Sequence, residues 1–164
     1  MPNALKYRMP NGIAGDITRQ SQAKIETQVF NSAAAFPGYG LFGRITSNKF
    51  VPVGTGDVAA DVYGLLVRPF PITGANASDP LGTAVPPTTG LADVMRSGYA
   101  TVKNNAGTPA KNGVVYIRVA AAAAGKPIGG IEAAADSTNT IVATGARFTG
   151  AADADGLVEI EYNI

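Results

Sequence analysis

The sequence predicts a mainly β protein: a jelly-roll-like sandwich or barrel with a partly extended N-terminal arm. Short runs rich in valine, isoleucine and tyrosine recur between clusters of glycine and proline, a pattern typical of strands separated by turns. The C-terminal run alternates Val158, Ile160 and Tyr162 with polar residues, which is the period of two of a strand with one buried face. Residues 1–50 lack a sustained helical period, and no repeat of fixed length is visible in the chain.

Residues 1–50 are predicted to form the arm, and residues 51–164 the β domain, within a single globular unit. The first fifty residues mix glycine, proline, asparagine and glutamine with isolated apolar residues. Residues 21–30 fit either a short helix or a strand. We therefore expect this stretch to lead into the domain in a partly extended form.

Two strands and a long loop are predicted next. Residues 50–53 are apolar and precede a glycine-rich turn at residues 54–57. Residues 61–70 carry valine, tyrosine and leucine and predict a buried strand, closed by prolines. Residues 72–90 are rich in proline, glycine and threonine, which indicates an exposed loop suited to contact with a partner.

The remaining half of the chain predicts four more strands joined by turns. They cover residues 93–102, 113–120, 140–144 and 157–164. The alanine runs at residues 120–124 and 133–135 favour a helix by propensity alone. Gly125, Pro127, Gly129 and Gly130 lie between those runs and oppose one continuous helix, so a mostly β region is predicted.

Composition argues against most catalytic chemistry. The chain has 164 residues and no histidine, cysteine or tryptophan. Without histidine there is no Ser-His-Asp triad or imidazole metal site, and without cysteine there is no thiolate nucleophile, disulfide or thiolate-bound zinc. Charged residues make up 15% of the chain, against ~25% in an ordinary domain. Such a surface favours a component of an assembly, and we expect no enzyme, no cofactor and no metal.

The charge pattern and the termini limit the choice of partner. The formal net charge of +1 disfavours direct nucleic-acid binding. Neither an apolar signal core nor an apolar stretch of about 18 residues is present, so we expect synthesis in the cytoplasm and no membrane contact. Basic residues dominate the first fifty positions and acidic residues the last twelve. The two ends are therefore expected to contact oppositely charged surfaces or each other, unless these are simply solvated charges.

Three motifs have simpler explanations than ligand binding. Residues 38–43 spell a dinucleotide-binding loop, but a strand rather than a helix is predicted after them, so tight backbone packing is favoured. Residues 153–156 match only part of a calcium loop and predict a hairpin turn. Asp57 and Asp61 are better explained by turn solvation than by paired catalysis.

Three longer stretches, taken together, resemble the structural cement, or capsid decoration, proteins of tailed bacteriophages. Residues 54–71 read GTGDVAADVYGLLVRPFP, residues 115–136 begin VYIRV and end GKPIGGIEAAAD, and residues 148–164 read FTGAADADGLVEIEYNI. Residues 15–19, GDITR, are similar to the start of that family. The resemblance extends over nearly the whole chain, in order.

This resemblance implies a protein on the outer surface of an icosahedral phage head, made in the bacterial cytoplasm. Such proteins bridge neighbouring major capsid subunits and stabilise the head against the pressure of packaged DNA. The resemblance also implies homodimers near two-fold positions, with a trimer left open. It carries no catalytic residue over to this chain.

Individual contact residues follow from physical arguments instead. The basic residues Arg8, Arg19 and Lys24 are candidates for docking on an acidic capsid surface. Tyr39, Phe42 and Phe70 are candidate apolar anchors, since aromatic residues dominate buried interface energy; ordinary core packing is the alternative for each. Two other functions stay open: a host- or carbohydrate-binding module on the virion, and a carboxylate enzyme such as a glycoside hydrolase, which needs two facing carboxyl groups in a cleft.

Overall fold

The computed structural model describes residues 12–69 and 82–163. All strands in these ranges belong to one antiparallel sheet. They are β1 (Lys24–Val29), β2 (Phe42–Thr46), β3 (Lys49–Pro52), β4 (Gly64–Val67), β5 (Leu91–Lys103), β6 (Val114–Arg118), β7 (Ile131–Glu132), β8 (Thr140–Phe148) and β9 (Leu157–Asn163). Single turns of 3-10 helix occur at Gln20–Gln22, Ala59–Asp61 and Ser137–Asn139.

The long strand β5 connects the two halves of the sheet. The strand order is β3-β2-β4-β5-β9-β8-β6-β7, and β1 pairs with β5 in addition. The first half of β5 pairs with β1 and β4, and the second half pairs with β9. Single parallel bridges join Phe30 to Phe50 and Asn104 to Ile131. The sheet therefore curls back from β1 towards β3, and from the end of β5 towards β7.

Two apolar cores lie on either side of β4 and the first half of β5. Leu65 and Met95 face the larger core, whereas their neighbours Leu66 and Val94 face the smaller one. This is the alternation of a strand that is buried on both faces. The larger core includes Val158, Ile160 and Tyr162, whose alternation in the sequence predicted one buried face of β9. That prediction is confirmed.

The mainly β, sandwich-or-barrel prediction is confirmed. The strands predicted at residues 50–53, 93–102, 113–120, 140–144 and 157–164 correspond to β3, β5, β6, β8 and β9 with shifted ends. Of the predicted strand at residues 61–70, the described residues 61–69 form a strand only at Gly64–Val67. Asp61 ends a 3-10 turn, and its carboxylate accepts a hydrogen bond from the Val58 amide. A tight turn with a bridge between Ala123 and Lys126 follows Ala120, and residues 120–126 form no helix.

The described part of the predicted arm, residues 12–50, contributes strands to the sheet, and residue 50 lies within β3. Strands β2 and β3 form a hairpin across that position, with Thr46 opposite Lys49. The ambiguous stretch at residues 21–30 contains strand β1, which is part of the sheet. Of the predicted long loop, residues 72–81 lie outside the described residues.

Candidate functional site

Residues 13–19, here called the N-terminal clasp, run along the second half of β5. The amides of Gly15 and Thr18 donate to the carbonyls of Thr101 and Tyr99, at 2.8 and 3.0 Å. Gly15 in turn accepts a hydrogen bond from the amide of Arg68, just beyond β4, at 2.9 Å. The clasp thus ties the start of the described chain to both halves of the sheet.

Arg19 ends the clasp and contacts the acidic C-terminal strand. Its Nη2 lies 3.0 Å from Oε1 of Glu159, and its guanidinium stacks 3.8 Å from the centre of the Tyr99 ring. The Thr18 hydroxyl donates to the same carboxylate. The expectation that the basic start and the acidic end contact each other is confirmed for this pair.

The pKa of the Glu159 carboxyl reflects these contacts. Burial by itself raises this pKa, but hydrogen bonds from Thr18 and Thr149 and the charge of Arg19 more than offset it. The net result is a pKa below the usual value of 4.5. The carboxylate form of Glu159 therefore stabilises the docked clasp.

Lys24 begins strand β1 and belongs to a polar rim beside the smaller core. Its ammonium lies 3.2 Å from Glu26, and its side chain is 67% exposed. Glu26 also accepts a hydrogen bond from Tyr63, which lowers the pKa of the Glu26 carboxyl. Arg96 stacks on the Tyr63 ring at 3.9 Å. Lys24 is thus open to solvent, whereas Glu26, Tyr63 and Arg96 contact one another.

The two described aromatic candidates lie inside the fold. Phe42 is 0% exposed and meets Tyr162 edge-to-face, with ring centres 5.0 Å apart. Tyr39 is buried in the smaller core, where Arg68 stacks on its ring at 4.7 Å. Core packing accounts for both, so their placement gives no support to the surface-anchor prediction. The candidates Arg8 and Phe70 lie outside the described residues.

An open groove of about 430 Å³ lies beside the clasp. Its lining includes Arg19 of the clasp, Tyr99 of β5, Glu161 of β9 and the two cations Lys111 and Arg147. Sequence reasoning missed the last two residues because they are brought together by register: Val114 pairs with Arg147, which brings the turn before β6 beside the end of β8. Neither residue belongs to a charge cluster that the sequence alone would reveal.

The motifs at residues 38–43 and 153–156, together with Asp57, have structural roles. Gly43 lies in β2, where a Cβ atom would be 2.5 Å from the Phe50 ring, so close packing requires glycine there. The Asp153 carboxylate accepts hydrogen bonds from the amides of Asp155 and Leu157 and so stabilises the turn before β9. Asp57 accepts from the Gly54 amide at 2.6 Å and pairs with Arg44 at 2.9 Å.

Residues 12–69 and 82–163 contain neither a metal-binding cluster nor a membrane-spanning helix. No group of three or more Asp, Glu, His or Cys side chains is placed to hold a metal ion. No helix in the same ranges has the length and apolar character needed to cross a membrane.

Comparison with known proteins relates the chain to a family of capsid proteins and to a solved capsid structure. The family model described as XM1 gp53 minor capsid protein matches residues 1–162. A chain of a solved structure described as "The capsid of Myoviridae Phage XM1" is similar in fold, with a TM-score of 0.70 and 19% sequence identity. That similarity covers 99% of this chain and 97% of the other. No curated protein matches.

Proposed function

Because this chain belongs to the XM1 gp53 minor capsid protein family, we propose that it acts as a cement protein on an icosahedral phage head. The chain is a structural component of a bacteriophage capsid and is located in the virion. In the proposed role the protein lies on the outer surface of the head. There it bridges neighbouring major capsid subunits and stabilises the head against the pressure of packaged DNA.

The observation that carries the proposal is the family match along residues 1–162, which relates the whole fold to minor capsid proteins. The low content of charged residues, 15%, supports a surface that partners cover. A cement protein acts by mass action, because it binds the assembled shell and not its separated subunits. Many copies, each with several contacts, add weak contacts into avidity.

Two cations of the described chain remain proposed capsid contacts. Lys24 has a side chain that is 67% exposed, and the Arg19 side chain is 46% exposed although it is paired with Glu159. Both can reach an acidic partner without unfolding the sheet. We expect such exposed charges to speed association and to make binding sensitive to salt.

The decisive experiment is co-sedimentation of the purified protein with heads of the phage that encodes it, before and after head expansion. We expect the protein to sediment with expanded heads. Heads with bound protein should also retain their DNA at temperatures that empty bare heads, as measured by a dye that binds released DNA. Absence of binding to either form of the head would contradict the proposal.

We further propose that the protein is made in the bacterial cytoplasm and binds the head as a homodimer. Sedimentation equilibrium of the free protein gives its mass directly and separates a monomer, dimer or trimer. A monomer in solution together with paired copies on heads would place the dimer contact on the capsid. Single isolated copies on heads would contradict the dimer.

The alternative of a carbohydrate-binding module draws no support from the groove. A sugar ring needs an open aromatic face on which to stack, and the Tyr99 face carries the Arg19 guanidinium at 3.8 Å. Binding of the purified protein to a glycan array would revive that alternative.

A further inference from the structure

We propose that the groove between the N-terminal clasp, β8 and the turn before β6 binds an extended acidic segment of a capsid protein. The inference rests on the proposed cement function and names the surface that performs it. The groove is formed by five separate stretches of chain, which converge on an opening of about 430 Å³. Its charges, its rigidity and its hydrogen-bonding groups each favour this partner.

The charges in the groove leave two cations available. Arg19 is neutralised by Glu159 at 3.0 Å. Lys111 and Arg147 are exposed, and neither has a carboxylate within 4.0 Å among the residues that the structure describes. The Arg147 Nη1 atom donates to the carbonyl of Ala146. Glu161 lies opposite Arg147 in the β8–β9 ladder without forming an ion pair within 4.0 Å. Lys111 and Arg147 can therefore attract the carboxylates of a partner, and an arginine can bind a carboxylate with two parallel hydrogen bonds.

The backbone holds these cations in place before any partner arrives. Asn112 has a φ of 63°, a left-handed conformation that asparagine tolerates, and its amide donates to the Phe148 carbonyl at 2.7 Å. The Gly113 carbonyl accepts from the Phe148 amide at 3.2 Å. The turn that carries Lys111 is thereby fixed to the end of β8, next to Arg147. Little ordering of the backbone remains to oppose binding.

The remaining lining favours a peptide over a nucleic acid. Glu161 lies in the groove and Glu159 beside it, so a continuous chain of phosphates would meet two carboxylates. An acidic peptide carries separated charges, which can meet Lys111 and Arg147 while avoiding those carboxylates. Asn112 also lines the groove, and its side-chain amide offers hydrogen bonds to a peptide backbone.

The test compares the full-length protein with the double variant K111E/R147E and the control variant K49E. Lys49 is an exposed cation on β3, at the far end of the strand order from β8, so K49E changes net charge without touching the groove. Binding to phage heads is measured by co-sedimentation. Fluorescence anisotropy then measures binding to two labelled probes, a short polyglutamate peptide and a single-stranded oligonucleotide. Circular dichroism shows whether each variant is folded.

We expect K111E/R147E to bind heads and polyglutamate roughly tenfold more weakly or worse, since two attractions become repulsions. K49E should bind like the unchanged protein, and K111Q/R147Q should fall between. If the unchanged protein binds heads and K111E/R147E binds them equally well, the groove proposal is overturned while the cement function stands. If the unchanged protein binds no heads, the cement function itself fails. Tighter binding of the oligonucleotide than of polyglutamate would overturn the choice of a protein partner.

Discussion

Arg118 is fully buried, and two carboxylates and two backbone carbonyls surround its guanidinium. Its Nη2 atom lies 3.1 Å from Glu132 Oε2 and 2.7 Å from Asp136 Oδ2, and its Nη1 donates to the carbonyls of Ala120 and Ala121. Glu132 is equally buried. The cluster fixes the alanine-rich loop between β6 and β7 on the larger core. A pair of this kind is costly to break because each partner is buried with its charge.

We expect R118M to lower the free energy of unfolding by about 3–5 kcal/mol, because Glu132 would lose the partner of its buried charge. The double variant R118M/E132L should recover most of that loss, since it removes both charges together. Urea denaturation followed by circular dichroism measures both values. A double variant less stable than R118M alone would contradict this explanation.

Tyr162, unlike Arg118, is buried without a hydrogen-bond partner for its polar group among the described residues. Burial raises the pKa of its hydroxyl. We expect Y162F to leave the free energy of unfolding unchanged or to raise it by up to about 1 kcal/mol, since an unsatisfied buried hydroxyl is removed. The matched variant F42A, on the ring that Tyr162 contacts, should lower it by about 3–5 kcal/mol. A clear loss of stability in Y162F would show that its hydroxyl has a partner.

At the scale of elements, strand β5 contains a glycine near the point where its partner strands change from β1 and β4 to β9. Gly98 has a φ of +135°, and a Cβ atom there would be 2.9 Å from the Ala23 Cα atom. Both the conformation and the close approach of the backbone at Ala23, just before β1, require glycine. The same residue lies opposite Tyr162 of β9.

We expect G98A to lower the free energy of unfolding by more than about 1 kcal/mol, because an alanine would be strained and would collide with backbone. G54A is the control, since a Cβ atom at Gly54 meets nothing within 4 Å. G54A should unfold at nearly the same denaturant concentration as the unchanged protein. Equal stability of the two variants would contradict the role given to Gly98.

The N-terminal clasp makes stability depend on pH. The folded pKa of Glu159 lies below its usual value, so its contribution is complete above pH about 4.5 and is lost as pH falls through the folded pKa. We expect E159Q to lower the melting temperature at neutral pH and to reduce the decline of melting temperature on acidification. Thermal unfolding between neutral and acidic pH measures both effects. Parallel curves for E159Q and the unchanged protein would show that the clasp does not depend on this carboxylate.

The sequence predicted the strands whose signal is local. Strand β9 alternates strictly, and β6 is rich in β-branched residues, so both are recognisable without knowledge of their partners. Strand β1 is polar on the face towards the rim and is a strand because β5 pairs with it. Strand β2 contains Gly43, which reads as a turn residue but is required by the Phe50 ring. The groove cations Lys111 and Arg147 come together only through strand register, which is likewise non-local.

At the scale of the whole molecule, the two cores are inseparable. Strand β4 contributes Leu65 to one core and Leu66 to the other, and β5 contributes Met95 and Val94 in the same way. Loss of either core would therefore expose one face of the strands that line the other. The fold is thus expected to behave as one cooperative unit.

We expect heat unfolding to be a single transition in which the calorimetric enthalpy equals the van't Hoff enthalpy. A cavity variant in the smaller core, L66A, should lower the melting temperature of that one transition rather than split it. Differential scanning calorimetry makes the measurement. Two resolved peaks in either protein would show that the cores unfold separately.

The continuity of β5 also has a mechanical consequence. Its first half is hydrogen-bonded to β1 and β4 and its second half to β9, with the clasp alongside. A pull directed along this strand acts on those ladders in shear, so many hydrogen bonds must break together. A pull across the strands would instead peel them apart one at a time. The molecule is therefore expected to be stiffest along β5, and that is the direction in which tension from a swelling shell would be best resisted.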